Sequence, residues 1–279
     1  MKTSEINKKM ISLLSHFNNS SLFTSLINLA NIDMVVNNTT PLNFLLLNKK
    51  KFNINIPSQK IFSLLEKCQL QNSQINPSPI QVLLQNNKKS ELYFSNAQIM
   101  SLLDKCDLQI PINIDNYKLK SQILFLIISN NQTEKLNFSN EQIFNLLKKT
   151  HLEIHLNNNL YDNNFLSILI FHLKNYEIDF TKEQFSSLFE NISTNYMQNS
   201  LYHFLHNKKF FYQDAYCQKI IYSMLDNLQL PGLEKEISNA YNFSKIISMN
   251  SQELFIHLQH LSLNQQLQSS TISSKTRKI

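Results

Sequence analysis

A solenoid of stacked helix-loop-helix repeats, all-α and closed by helical caps, is the fold class that this 279-residue sequence predicts. Three observations carry the prediction. The stretch FSNAQIMSLLDKCDL, Phe94 to Leu108, returns as FSNEQIFNLLKKTHL, Phe138 to Leu152, and as FTKEQFSSLFENIST, Phe180 to Thr194. The second residue of each copy is a hydroxyl residue followed three positions later by Gln, the signature of a helix N-terminus. Behind that opening, apolar residues recur at helical spacing, as in Ile99, Leu102, Leu103 and Cys106.

Residues 1–39 read as an N-terminal helical cap: Met10, Leu13 and Leu14 fit a lone second helix, and SSLFTSLINLANI a further first helix. The repeat solenoid spans 40–226. Its first two copies superpose without a gap at an offset of 38, with Pro41 on Pro79, Leu45 and Leu46 on Leu83 and Leu84, and Asn48 on Asn86. Ile61 then falls on Ile99, Cys68 on Cys106 and Leu70 on Leu108. From Phe94 to Phe138 the offset is 44, and from Phe138 to Phe180 it is 42, so the length variation sits in loops.

In each copy the first helix starts where Thr40-Pro41 or Ser78-Pro79 sets a capping hydroxyl before a proline, whose missing N–H costs nothing at the first helical position. The second helix starts at Ser95, Ser139 or Thr181, with Gln98, Gln142 or Gln184 reaching back to complete a capping box. Phe94, Phe138 and Phe180 stand just before these caps, and Ile99, Ile143 and Phe185 four residues after them, which makes a hydrophobic staple. The stretch SLYHFLHNKKFFYQDAYCQKIIYSML, Ser200 to Leu225, keeps the first helix, with Phe204, Leu205 and Asn207 at the positions of Leu83, Leu84 and Asn86. Ile220 takes the place of Ile99, but the capping box is gone.

Residues 227–263 read as a C-terminal helical cap made of GLEKEISNAYNFSKII and SQELFIHLQHLSL. The remainder, 264–279, has too little apolar content to pack, and with Lys275, Arg277 and Lys278 it reads as a flexible basic tail. Helices of about 10 to 12 residues are marginal alone in water, so each copy needs its neighbour to cover its apolar face.

Composition narrows the function. The net charge of +6 comes from 26 basic and 20 acidic residues, yet only 16% of residues are charged and the single arginine is Arg277. A nucleic-acid interface usually clusters Arg and Lys on one face, so nucleic acid is an unexpected partner. Cys68, Cys106 and Cys217 are too few and too scattered for a disulfide framework or a zinc module. Glu5, Lys8 and Lys9 interrupt any signal-peptide run. The longest apolar run, Ile123 to Ile128, falls far short of the roughly 20 residues that span a membrane. The expectation is a monomer in a reducing compartment: cytoplasmic, or secreted into a host cell without a cleaved signal.

TPLNFLL at Thr40 to Leu46, followed by IFSLLEKCQL at Ile61 to Leu70, resembles the ankyrin repeat, whose first helix opens on Thr-Pro-Leu and whose second ends in a Leu pair. Ankyrin repeats recur at about 33 residues, and the spacings here come nearer the HEAT and armadillo range. The family's turn glycines are absent, since the only Gly is Gly232. Diverged ankyrin-like repeats are the first expectation and a HEAT-like helical pair the alternative. Both resemblances imply a protein-binding module that is not an enzyme and holds no cofactor. The Asn-, Lys- and Ile-rich composition of an AT-rich genome, joined to ankyrin-like repeats, suggests an intracellular bacterium or symbiont whose product acts on a host protein.

The candidate site is a column of loop lysines. Lys50 and Lys51 align with Lys88 and Lys89, and Lys209 with Lys88, so Lys208 and Lys209 continue the pair; the fourth copy offers only Lys174. In a stacked array one repeat position becomes a row, suited to an acidic protein surface or, as the alternative, to nucleic-acid phosphates or an anionic membrane. Gln132, Thr133 and Glu134 interrupt the row in the third copy. His203 and His206, like His257 and His260, share a helix face, but the third ligand and the Glu base of catalytic zinc are missing, and no metal is expected. Cys68 and Cys106 share one repeat position with Thr150, which is how a small packing residue behaves, so no catalytic residue is expected.

Overall fold

The computed structural model describes residues 39–71, 76–110, 113–114, 122–156, 165–206, 214–230 and 248–276, together with the isolated positions 5, 8, 12, 32, 33, 35, 232, 233 and 237. Among these the chain is all-α, with eleven helices and one pair of two-residue strands. No described helix is long and apolar enough to cross a membrane. The chain divides into two compact units, residues 1–109 with 117–149 and residues 110–116 with 150–279.

The first unit holds α1 (Pro41–Asn48), α2 (Ser58–Leu65), α3 (Pro79–Asn86), α4 (Asn96–Leu103), α5 (Ile123–Asn130) and α6 (Asn140–Lys148). Helices this short gain their stability from packing rather than propensity. Accordingly α1 lies against α3, α3 against α5, and α5 against α6. The run Ile123 to Ile128 in α5 is buried at every residue, as a helix covered by more than one neighbour requires.

Helix starts follow the sequence signals. Thr40 Oγ1 accepts the Asn43 N–H at 3.1 Å, with Pro41 at the first helical position. At α3 a capping box forms that the sequence reading did not assign, with the Ser78 N–H donating to Gln81 Oε1 at 2.6 Å. The expected boxes close at Ser95 with Gln98 and at Ser139 with Gln142. In the latter, the Gln142 N–H donates to Ser139 Oγ at 3.2 Å and the Ser139 N–H to Gln142 Oε1 at 3.0 Å. Phe94, Ile99, Phe138 and Ile143 are all buried, as staple residues should be. Ser139→Ala is expected to cost about 1 kcal/mol in urea unfolding.

Helix ends follow a rule the sequence does not advertise. After α1, α3 and α5 the chain runs on in turns and closes with a residue in the left-handed region, Asn53 (φ 47°), Glu91 (φ 56°) or Lys135 (φ 53°). Two bonds complete each closure, as in the Glu91 N–H to Lys88 O at 3.0 Å and the Leu92 N–H to Asn87 O at 2.9 Å. This is the Schellman pattern, in which the next residue is apolar and packs back. Ile54, Leu92 and Leu136 are that residue and are buried. The second unit repeats it with Glu177 before Ile178 and Gln229 before Leu230. Glycine usually fills this position; here side-chain-bearing residues take it at a conformational cost. Glu177→Gly, on an exposed turn, is therefore expected to raise stability by about 0.5 kcal/mol, read as a higher urea midpoint.

The second unit holds β1 (Asn113–Ile114), β2 (His155–Leu156), α7 (Phe165–Asn175), α8 (Lys182–Phe189), α9 (Thr194–His206), α10 (Ala215–Asn227) and α11 (Ser251–Thr276). The strands pair in parallel, Asn113 opposite His155. Helix α7 packs on α9, α8 on α10, and α9 on both α10 and α11. The Thr181–Gln184 capping box closes as expected, and the Phe180 and Phe185 rings of its staple meet edge to face at 5.4 Å. Where the sequence lacks a box, Asp214 caps α10 instead, accepting the N–H groups of Tyr216 at 2.9 Å and Cys217 at 3.2 Å.

Within each unit, hydrogen bonds recur between residues about one sequence repeat apart. The Asp107 N–H donates to Gln71 Oε1 at 2.6 Å, 36 positions away, and Gln109 Nε2 to Lys149 O at 2.7 Å, 40 away. Asn96 and Gln142, 46 apart, exchange two amide bonds of 3.0 Å. In the second unit the Tyr196 hydroxyl donates to Ile154 O at 2.9 Å and the Tyr216 hydroxyl to Ile178 O at 3.2 Å.

Two expectations change. The end of the chain is not an unstructured tail from Asn264: α11 runs unbroken to Thr276, since Leu and Gln are good helix formers and neither Gly nor Pro interrupts it. The first helix of the last copy starts at Thr194, six residues before Ser200. Most of the proposed N-terminal cap and most of 227–247 lie outside the described residues.

Candidate functional site

The loop edge of the first unit is where chemistry-bearing side chains gather. Each loop leaves the C-terminal end of a first helix and, through its left-handed closure, turns the chain back into the second helix. Asn87 fixes the middle loop from inside. It is fully buried, accepts the Phe94 N–H at 3.0 Å and donates to Glu134 O at 3.2 Å. Asn131 clasps the next loop likewise, accepting the Phe138 N–H at 2.7 Å.

On this frame Lys50, Lys51, Lys88 and Lys89 are exposed, as the sequence reading placed them. They do not form a purely positive row. Lys50 Nζ lies 3.1 Å from Glu91 Oε1, and Lys89 Nζ 3.3 Å from Glu134 Oε1. The Glu134 side chain is only 3% exposed, and its other oxygen accepts the Lys88 N–H at 3.0 Å and the Lys89 N–H at 3.3 Å. Glu134 thus belongs to the site it was expected to interrupt. Lys51 and Lys88 meet no carboxylate among the described residues.

Aromatic rings complete the edge. Lys51 Nζ sits 5.2 Å from the centroid of Phe52, which stacks on Phe44. Lys135 Nζ sits 5.8 Å from that of Tyr93, a residue 59% exposed. Such contacts hold a cation over the ring face and keep both groups extended along the surface.

Tyr93, Lys135 and Glu91 had no expected role, and Glu134 was expected to break the row rather than join it. A signal for Glu134 was present. It follows the C-terminus of α5, where the helix dipole disfavours an acid, so its place there needs compensating donors. Tyr93 carried no such signal, because its exposure depends on loop geometry.

The other expected residues lie elsewhere. Lys208 and Lys209 fall outside the described residues. Lys174, in the second unit, donates to Asp214 at 2.9 Å; burial works to lower its pKa, but that bond carries it above the usual lysine value. Burial pushes the Cys68 and Cys106 thiols up to about 12, far from a nucleophilic thiolate at neutral pH. His203 and His206 share α9, where the His206 ring lies 4.0 Å from that of Tyr202 and its Nδ1 hydrogen-bonds Tyr202 O at 2.9 Å. Among the described residues no three His, Cys, Asp or Glu gather as metal ligands. A cleft of about 180 Å³ lies between Asp104, Cys106, Asp107, Gln109 and Lys149, also in the first unit. Comparison with protein-family models, with curated proteins and with solved structures finds no match.

Proposed function

We propose that this chain is a non-catalytic protein-binding scaffold, a solenoid of ankyrin-like helix pairs whose loop edge recognises a partner protein. The observation that supports it most is the division of labour in the first unit. Helices α1 to α6 have buried apolar faces, while the loops hold Tyr93 and four lysines in the open. Exposed tyrosine on a rigid frame is the kind of group that anchors protein interfaces. The recurrence of hydrogen bonds between residues 36 to 46 apart supports stacking of successive helix pairs within the first unit. The AT-rich composition fits an effector acting on a host protein, in the cytoplasm that makes it or after export into a host cell.

Affinity capture from host-cell lysate tests this, with the unaltered chain and a Lys88→Glu, Tyr93→Ala variant as baits. A protein enriched on the first and reduced at least about tenfold on the second is expected. Equal enrichment on both baits, or none on either, contradicts the reading.

The exposed Lys51 and Lys88 favour a second reading, binding of nucleic acid or an anionic surface. That reading requires retention on heparin that falls steeply with salt.

A further inference from the structure

The geometry points to an acidic, aromatic-bearing segment of a partner protein as the ligand of the first unit's loop edge. We infer this on top of the protein-binding reading, to which it adds the chemistry of what is bound. The first support is a strained display. Tyr93 has φ 50°, in the left-handed region where a bulky aromatic residue is disfavoured. The equivalent position of the next loop has φ 57° and is Asn137, a residue that tolerates this conformation. Folding alone therefore favours Asn at position 93. Tyrosine stands there at a conformational cost, 59% exposed as a residue and with Lys135 beside its ring. Strain at an exposed aromatic residue is accounted for by a partner that uses the ring.

The second support is that the edge already holds carboxylates. Glu91 meets one loop ammonium at 3.1 Å, and Glu134 meets another at 3.3 Å together with two backbone N–H groups. Lys51 and Lys88 are the same group on the same loops, exposed and without a carboxylate among the described residues. A carboxylate-bearing chain along the edge would complete for them the pairing that Lys50 and Lys89 make internally.

The mixed charge of the edge selects the class of macromolecule. The Glu91 side chain, 45% exposed, stands among the lysines, so a continuous polyanion meets repulsion there along its path. A polypeptide can space its acids to match and place aromatic residues on Tyr93 and Phe52. Membrane headgroups and nucleic-acid phosphates cannot choose their spacing in this way.

Fluorescence anisotropy on the full chain tests the inference. The probe is a short labelled peptide of repeating Glu-Phe-Glu-Ser. Its competitors are the same peptide with Lys for Glu, the same with Ser for Phe, a labelled poly-dT oligonucleotide, and vesicles of phosphatidylserine with phosphatidylcholine. The Glu-Phe peptide is expected to bind, and to bind at least about tenfold more weakly when either substitution is made in it. Tyr93→Asn is the decisive variant, because Asn suits the backbone. It should leave the urea midpoint unchanged or higher while weakening the peptide about tenfold. Lys88→Glu should weaken it as well. Peptide binding indifferent to Tyr93→Asn, no peptide binding, or tighter binding of the oligonucleotide or vesicles overturns the inference. If the peptide fails while lysate capture still depends on the loop edge, the broader protein-binding reading survives and this one does not.

Discussion

Phe185→Ala is expected to lower the stability of the second unit by about 3–5 kcal/mol, enough to unfold a large fraction of molecules at moderate temperature. Phe185 is fully buried and acts twice. As a staple residue it meets Phe180 at 5.4 Å, and across to α10 it meets Tyr216 edge to face at 5.8 Å, with Phe189 at 6.1 Å on its own helix. Truncation removes the transfer free energy of the ring and leaves a cavity whose aromatic walls cannot collapse inward. Edge-to-face pairs add about 0.5–1.5 kcal/mol each beyond buried area. Phe185→Leu keeps most of the volume and should cost about half as much. The check is urea unfolding followed by near-ultraviolet circular dichroism. Equal midpoints for the alanine and leucine variants would contradict the packing described.

Glu134→Ala has the second largest expected effect, about 2–3 kcal/mol. The carboxylate is buried and accepts the N–H groups of Lys88 and Lys89, so its loss leaves both without their acceptor at a packed seam. The salt bridge contributes little by comparison, because the Lys89 side chain is 71% exposed. Lys89→Ala should therefore change stability by less than about 0.5 kcal/mol, and Glu134→Gln, which keeps an oxygen acceptor, should fall between the two. Hydrogen exchange at the Lys88 and Lys89 amides gives an independent reading. Both should exchange much faster in Glu134→Ala and change little in Lys89→Ala.

Helix starts were legible in the sequence because an N-cap is a local device. Ser95 and Gln98, or Thr181 and Gln184, satisfy each other within one turn, so spacing alone identifies them. The αL closures were not legible. In a chain with one Gly they fall on Asn53, Glu91, Lys135, Glu177 and Gln229, residue types with no shared preference for that conformation. Their signature is instead the buried residue that follows, and many other positions carry an apolar residue after a polar one.

The candidate site was half visible. Alignment of the copies put Lys50 with Lys88 and Lys51 with Lys89, and all four are exposed. It could not show that Glu91 and Glu134 fold onto the same edge, because in the alignment they fall opposite Lys135 and Ser90, residues of other chemistry. Asp214 shows the same limit in the second unit, capping a helix whose expected box is missing. At its C-terminal end the chain reads as a polar tail when judged by composition, whereas helix propensity from Ser251 onward carries α11 to Thr276.

A double-mutant cycle on Asn96 and Gln142 tests most directly whether neighbouring copies meet in the register described. The two side chains lie 46 positions apart and exchange reciprocal amide bonds of 3.0 Å. Alanine at each position alone and at both together, followed by urea unfolding, should give a coupling energy of about 1 kcal/mol. Strict additivity would mean that the two amides do not touch, and the seam drawn between these helices would be wrong.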